Sequence, residues 1–245
     1  MGFKTVFKRY EIKYLVTQEQ KHIILDAMKP YMELDEFGRT TIRNIYYDTD
    51  SFRLIRDSIE KPVYKEKLRV RSYSTATKDS TVFVELKKKY KSVVYKRRVS
   101  MTEGEADDWL SGRAAPPKHT QITDEVDYFL QFYKELHPAV FLSYEREAFF
   151  SKSGDDFRVT FDENILYRRD GLSLSLEPFG KAILNPEYSL MEIKTSGGIP
   201  LWMTKVLSDN SIFKTSFSKY GNAYKDFTFP QNPHILDTKE VTINV

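Results

Sequence analysis

Apolar and polar residues alternate with period two along several stretches of this chain. In KEKLRVRSYS, starting at residue 65, Lys65, Lys67, Arg69 and Arg71 fall on one side of an extended segment. Leu68 and Val70 fall on the other. The same alternation predicts strands over 9–15, 42–48, 65–72, 82–88, 93–99, 141–150, 157–162 and 188–195. The three between 65 and 99 are joined by short polar loops and read as a meander. Helical spacing takes over in TQEQKHIILDAMKPYM, where Thr17 is the predicted N-cap and Ile23, Ile24, Ala27 and Met28 form an apolar stripe. SFRLIRDSI, MTEGEADDWLSG, PLWMTKVLSDN and DEVDYFLQFYKELH read as further helices, the last with Val126, Phe129, Leu130 and Tyr133 on its apolar face. SFSKYGNAYKDF reads as helix or turn.

The polar sides of these strands are charged. Glu11 and Lys13 share a face, as do Arg69 and Arg71, Glu85 and Lys87, Lys96 and Arg98, Arg158 and Asp162, and Glu192 and Lys194, with Arg146 on its own strand. Opposite them lie Ile12, Leu68, Val70, Val82, Val84, Leu86, Val159, Phe161, Met191 and Ile193. An ordinary sheet would turn the charges to water. Their recurrence on nearly every strand, with cations in excess, favours an inverted arrangement. Eight strands can close into a barrel around one ligand, here with charges inside and helices over the apolar exterior. The expected class is α+β. Adjacent cations on one strand face, about 7 Å apart, repel by about 2 kcal/mol even at an effective dielectric near 20. The row at 65–71 therefore stores repulsion that a bound polyanion would relieve.

Net charge is only +3 over 245 residues, so the whole molecule is not a general polyanion binder. Residues 61 to 98 hold thirteen Lys or Arg against three acids, which makes the positive potential local. There is no cysteine, which rules out disulfides and thiolate metal sites and fits a reducing compartment. No apolar run reaches the ~20 residues a spanning helix needs, so a soluble, cytoplasmic protein is expected. One domain over 1–228 and a polar tail over 229–245 are expected. The four histidines (22, 119, 137, 234) are scattered through helices and loops and read as surface residues.

RYEIKYLV, NIYYDT, KLRVRSY, VFVELKKK, VVYKRR, YEREAF, RVTFD, LMEIK and FSKY occur in this order. Together they resemble the vacuolar transporter chaperone (VTC) domain of the triphosphate tunnel metalloenzymes, in a bacterial-type stand-alone form. The resemblance implies an eight-stranded antiparallel tunnel, similar to the CYTH fold, that takes ATP, builds inorganic polyphosphate and releases ADP. It carries catalytic and phosphate-binding roles to Lys13, Arg69, Arg71, Lys87, Lys96, Arg146, Arg158 and Lys219. Arg98 and Lys194 share the charged faces and join the substrate-binding set. Glu192 matches the metal-binding carboxylate, with Glu11 as a second ligand and Glu85 and Asp162 as weaker ones. The cofactor expected is Mn²⁺ or Mg²⁺, which prefer carboxylate and phosphate oxygen. One position departs from the pattern: Ser216 stands where the family's catalytic subunit has lysine, and Lys214 is nearby but out of register.

Arginine forks grip phosphate oxygens bidentately and lysine adds compact charge, so the expected partners are ATP or another triphosphate and inorganic polyphosphate. Nucleic acid is not expected, because the acids beside the cations suit metal–phosphate chemistry better. A membrane-protein partner and the oligomeric state are left open. Two rivals stand beside polymerisation. One is a tunnel triphosphatase, disfavoured because the first strand reads Arg9, Glu11, Lys13 rather than a fuller ExExK. The other is a non-catalytic polyphosphate- or nucleotide-binding module, which Ser216 keeps in play.

Overall fold

The computed structural model describes residues 10–60, 62–91 and 93–229. Arg9, His234 and the tail beyond Phe229 lie outside them. The strands are β1 (Tyr10–Thr17), β2 (Met32–Leu34), β3 (Thr40–Asp48), β4 (Tyr64–Ser72), β5 (Thr81–Tyr90) and β6 (Val93–Thr102). They continue with β7 (His137–Ser151), β8 (Arg158–Arg168), β9 (Lys181–Ala182), β10 (Tyr188–Thr195) and β11 (Lys214–Thr215). The helices are α1 (Gln18–Met28), α2 (Arg53–Ile59), α3 (Glu103–Leu110), α4 (Gln121–Tyr133), α5 (Leu201–Asp209) and α6 (Lys219–Thr228). Each predicted helix is present. Thr17 closes a capping box with Gln20 at the start of α1, its side chain accepting from the Gln20 amide. No helix among the described residues is long and apolar enough to cross a membrane.

All eight predicted strands form, paired antiparallel in the order β11-β1-β10-β8-β7-β3-β4-β5-β6, with β2 beside β7 and β9 beside β8. The closed eight-stranded barrel does not form. The sheet has eleven strands among the described residues and remains open between its two ends. The reason lies at β1, whose free edge is taken by β11: Lys13 pairs with Thr215 and Tyr14 with Lys214. β11 thus occupies the middle of the β1 edge that β6 would have to meet. Side chains span the gap instead, with the Lys87 ammonium 3.6 Å from the Glu11 carboxylate. The three additional strands are two or three residues long, too short to alternate legibly.

The sheet is inverted as the pattern predicts. Leu68, Val70, Val82, Val84 and Leu86 pack outward against α3 and α4 through Trp109, Leu110, Val126 and Phe129. Val159, Phe161, Met191 and Ile193 pack outward against α1 and α5 through Ile24, Met28, Met203 and Leu207. A third cluster joins β3, β7 and β8 to α2 and α6. Leu68, Val82, Val84 and Leu86 are wholly buried, and each such side chain contributes roughly 1.5–3 kcal/mol. A slip of one residue would move the whole apolar set inward, so this outer packing fixes the charged residues on the inner face. One stripe reads differently from its prediction. In α1, Lys21 is buried beside Ile24 and Met28 while Ile23 is exposed. Lys21 is held by Glu147 at 2.7 Å and Glu163 at 2.9 Å.

Candidate functional site

The curved sheet wraps a cavity of about 1780 Å³. Sixteen Lys or Arg and seven Asp or Glu line it, so it is strongly cationic although the molecule as a whole is nearly neutral. Lys13, Arg69, Arg71, Lys87, Lys96, Arg98, Arg146, Arg158, Lys194 and Lys219 all reach it, with Glu11 and Glu192. Glu85 lines it too, whereas Asp162, the other weaker carboxylate candidate, is fully buried and does not line the cavity. The roles of the lining residues belong to the proposal below. His22, His119 and His137 lie away from the cavity.

Two buried carboxylates organise the cations. On β5, Glu85 is 1 % exposed and draws in four of them. Arg69 Nε donates to it at 2.8 Å and Arg69 Nη2 lies 2.7 Å away; Lys96 is at 2.7 Å and Arg71 at 3.8 Å, and Arg98 pairs with it as well. Register explains this hub, because Glu85 sits opposite Arg69 on β4 and opposite Arg98 on β6. Burial pushes the Glu85 carboxyl up, but Arg69, Arg71 and Lys96 overcome it and hold the group ionised far below the usual range. Burial likewise lowers Lys96 to about 7, against the pull of Glu85.

The second hub joins Asp162 and Glu192. Arg146 grips Asp162 with both fork nitrogens at 2.5 and 2.6 Å, and Lys219 reaches the same carboxylate at 2.5 Å. Glu192 is met by Lys194 at 2.7 Å, Lys219 at 3.3 Å, Arg146 at 3.4 Å and Lys13 at 3.6 Å. Burial opposes ionisation of Glu192, and Lys194, Lys219, Lys13 and Arg146 pull its carboxyl well below the usual range. Lys219 opens α6, where the Ser218 hydroxyl accepts from the Gly221 amide and caps the helix. Glu85 and Asp162 thus serve as counter-ions to the cations. They already offset much of the repulsion stored in the 65–71 row, which the sequence assigned to a ligand alone.

Three participants escaped the sequence reading, and a fourth was placed on the charged face without a role of its own. Tyr144 bridges the hubs, its hydroxyl accepting from Arg71 Nη2 at 3.2 Å while the Lys219 ammonium lies 4.4 Å from its ring centre. Tyr46 accepts from Arg69 Nη1 at 3.0 Å. Asp48, fully buried at the end of β3, accepts from the amides of Thr49, Leu54 and Ile55 and from the Tyr220 hydroxyl. It caps α2, whose first flanking residue Phe52 has a left-handed φ of 55° and no capping side chain, and it ties α2 to α6. Lys67 is the fourth. It lines the cavity, approaches the Ser218 hydroxyl at 3.4 Å, and pairs with no carboxylate among the described residues. Burial, then Lys87, Lys65, Lys13 and Arg69, lower it to about 7. Its place in the KEKLRVR row was the available signal.

Glu11 and Glu192 lie 3.5 and 3.6 Å from the same Lys13 ammonium. Burial raises the Glu11 carboxyl, yet Lys87, Lys13 and Lys194 bring it down to about 2, so it stays ionised. No group of three or more His, Cys, Asp or Glu gathers as a metal cage among the described residues. Two ionised carboxylates on a cation-lined cavity fit Mg²⁺ or Mn²⁺, ions that need only one or two protein carboxylates when a phosphate is bound. Lys214 and Ser216 both line the cavity on either side of Thr215.

A family model described as the VTC domain matches residues 8–228. No protein of curated function matches the sequence. Among solved structures, a proposed adenylate cyclase from Bacillus halodurans aligns over 87 % of this chain and 94 % of its own, with 17 % identity and a TM-score of 0.53. That likeness is one of fold. A proposed adenylate cyclase from Vibrio parahaemolyticus aligns over 90 % and 99 %, with 13 % identity and a TM-score of 0.48. The PH1819 protein of Pyrococcus horikoshii aligns over 89 % and 99 %, with 14 % identity and a TM-score of 0.44.

Proposed function

Because this chain belongs to the VTC domain family, we propose that it is a cytoplasmic phosphotransferase that moves the γ-phosphate of ATP onto a growing inorganic polyphosphate chain. A terminal phosphate oxygen of the chain attacks the γ-phosphorus, the bond from γ-phosphorus to the β,γ-bridging oxygen breaks, and ADP leaves with that oxygen. The nucleophile is already an anion, so no general base is required. Catalysis then depends on positioning and charge stabilisation. The observation that carries this reading is the pair of pre-assembled cation clusters facing one cavity.

Arg69, Arg71, Lys96 and Arg98, fixed by Glu85, hold one run of phosphates. Arg146, Lys194, Lys219 and Lys13, grouped around Asp162 and Glu192, hold the other, with Arg158 opposite Lys194 on the neighbouring strand, and Lys87 adds charge at the gap in the sheet. Forks already locked against carboxylates need no reorganisation as charge shifts in the transition state. Glu192 and Glu11 would hold the Mn²⁺ or Mg²⁺, which would supply positive charge to offset that of the phosphates. Lys214 compensates in part for Ser216, since the two line the same cavity.

The test is incubation with ATP and Mn²⁺ followed by product analysis. ADP with a long, exopolyphosphatase-sensitive polymer supports the proposal. ADP with free phosphate makes the protein a triphosphatase. Tripolyphosphate binding without turnover makes it a binding module.

A further inference from the structure

A second cavity, of about 370 Å³, opens where β4 begins, between α2 and α4. Lys65 and Glu66 line both it and the main cavity, so the two adjoin. Its walls are aromatic. Tyr128 and Phe132, one turn apart on α4, are 67 % and 53 % exposed, and their rings lie within 25° of parallel. The opposite face of α4 is the one that packs, through Val126 and Phe129. A surface helix ordinarily turns polar residues to solvent, so two open rings at this spacing call for an occupant. The Arg53 guanidinium lies 5.9 Å from the Phe132 ring centre and 5.2 Å from that of Tyr133.

Arg53, Asp57, Lys65 and Glu66 are the charged residues of this pocket, and Glu66 is the carboxylate fixed by its aromatic walls. The Tyr64 hydroxyl donates to it at 2.6 Å and the Tyr133 hydroxyl at 2.9 Å, one to each carboxylate oxygen. Burial, and then Glu66 itself, push both phenols up, so they stay protonated as donors. Each carboxylate oxygen keeps a further lone pair. Flat apolar faces beside a fixed anionic acceptor suit a planar heterocycle that carries an amino group. Strand geometry links this pocket to the phosphate cations. At about 3.3 Å per residue, Lys65 stands about 13 Å from Arg69 along β4, comparable to the reach from base to γ-phosphate in an extended nucleoside triphosphate.

The geometry points to a nucleobase subsite. With the phosphates of ATP on Arg69 and Lys67, the purine lies against Tyr128 and Phe132 and its exocyclic amine donates to Glu66. This rests on the reading of the main cavity as a triphosphate site.

Calorimetric titration of the full chain with ATP, ITP and inorganic tripolyphosphate tests it. Wild-type protein should bind ATP more tightly than ITP, whose ring carries a carbonyl in place of the amine. Phe132→Ala and Tyr128→Ala, at exposed positions, should each weaken ATP by about tenfold, within what one base–aromatic stack contributes. Tripolyphosphate binding should not change. Glu66→Gln should narrow the preference for ATP over ITP. If wild-type protein fails to bind tripolyphosphate, the triphosphate reading falls and the subsite with it. If tripolyphosphate binds but the ring variants leave ATP affinity unchanged, or lower both ligands equally, the subsite alone is overturned.

Discussion

Replacing Glu85 by glutamine tests whether the phosphate-facing cations are held by the protein's own carboxylates. Glutamine keeps the shape, and its carbonyl can still accept from Arg69 Nε, but the negative charge shared by Arg69, Arg71, Lys96 and Arg98 is gone. Lys96 and Arg98 are 41 % and 34 % exposed, so their pairs are screened and contribute little. Arg69, 20 % exposed against a carboxylate that is 1 % exposed, carries most of the effect. Breaking such a buried pair costs about 3–5 kcal/mol. At about 2–4 °C per kcal/mol for a chain of this size, the melting midpoint without ligand should fall by about 10 °C. Tripolyphosphate restores the missing negative charge. At a hundredfold excess over its dissociation constant it stabilises the wild type by about 2.7 kcal/mol, and its midpoint shift should be larger in the variant. Differential scanning fluorimetry at low ionic strength, with and without tripolyphosphate, reads both quantities. An unchanged midpoint together with an unchanged ligand shift would refute the counter-ion role of Glu85.

Lys67 gives a pH signature: a lysine lowered to about 7 from its ordinary 10.5 destabilises the folded chain while charged, so stability should rise with pH across that window. Lys67→Met should flatten the rise and reduce proton uptake on tripolyphosphate binding at pH 8; equal uptake in calorimetry across two buffers would count against it. Glu192→Gln should weaken the apparent metal affinity in ATP turnover by about tenfold or more while tripolyphosphate still binds, and normal turnover would leave Glu192 as a counter-ion only. Asp48→Ala strands a buried hydroxyl and three amides. It should cost about 2–4 kcal/mol in urea unfolding, whereas a loss below 1 kcal/mol would show that α2 and α6 are held by packing alone.

The inverted sheet was legible because most of the long strands repeat the same alternation. Leu68 and Val70 alternate with Arg69 and Arg71, Val84 and Leu86 with Glu85 and Lys87, and Ile193 with Glu192 and Lys194. Side-chain period alone then assigns the faces. Closure was not legible, because it depends on which edge meets which. β11, two residues long, takes the edge of β1 and carries no readable periodicity. The members of the two hubs could be named from sequence, but their partnerships could not. Glu85 meets Arg69 and Arg98 through cross-strand register, and Asp162 meets Lys219 across 57 positions of chain. Tyr144 and Asp48 looked like ordinary strand residues. Their part comes from contacts with α6, which the alternation of their own strands does not encode.

The pairing of β1 also dictates an order of assembly. Among the described residues its ladder partners are β10 and β11, roughly 180 and 200 positions downstream. The stretch from β3 to β6 contains the hairpins β4–β5 and β5–β6, whose strands are near neighbours in the chain and can pair early. The wall carrying Glu11, Lys13 and Glu192 waits for β10. Until residues 188–195 emerge, YEIKYLVT is a strand-forming segment with both edges unpaired, the kind of exposure that invites aggregation during synthesis. The late β1–β10 union also ranks this among slow, high-contact-order topologies. The Glu85 cluster can form on its own hairpins, while the Glu192 cluster exists only once residues 188–219 have been made.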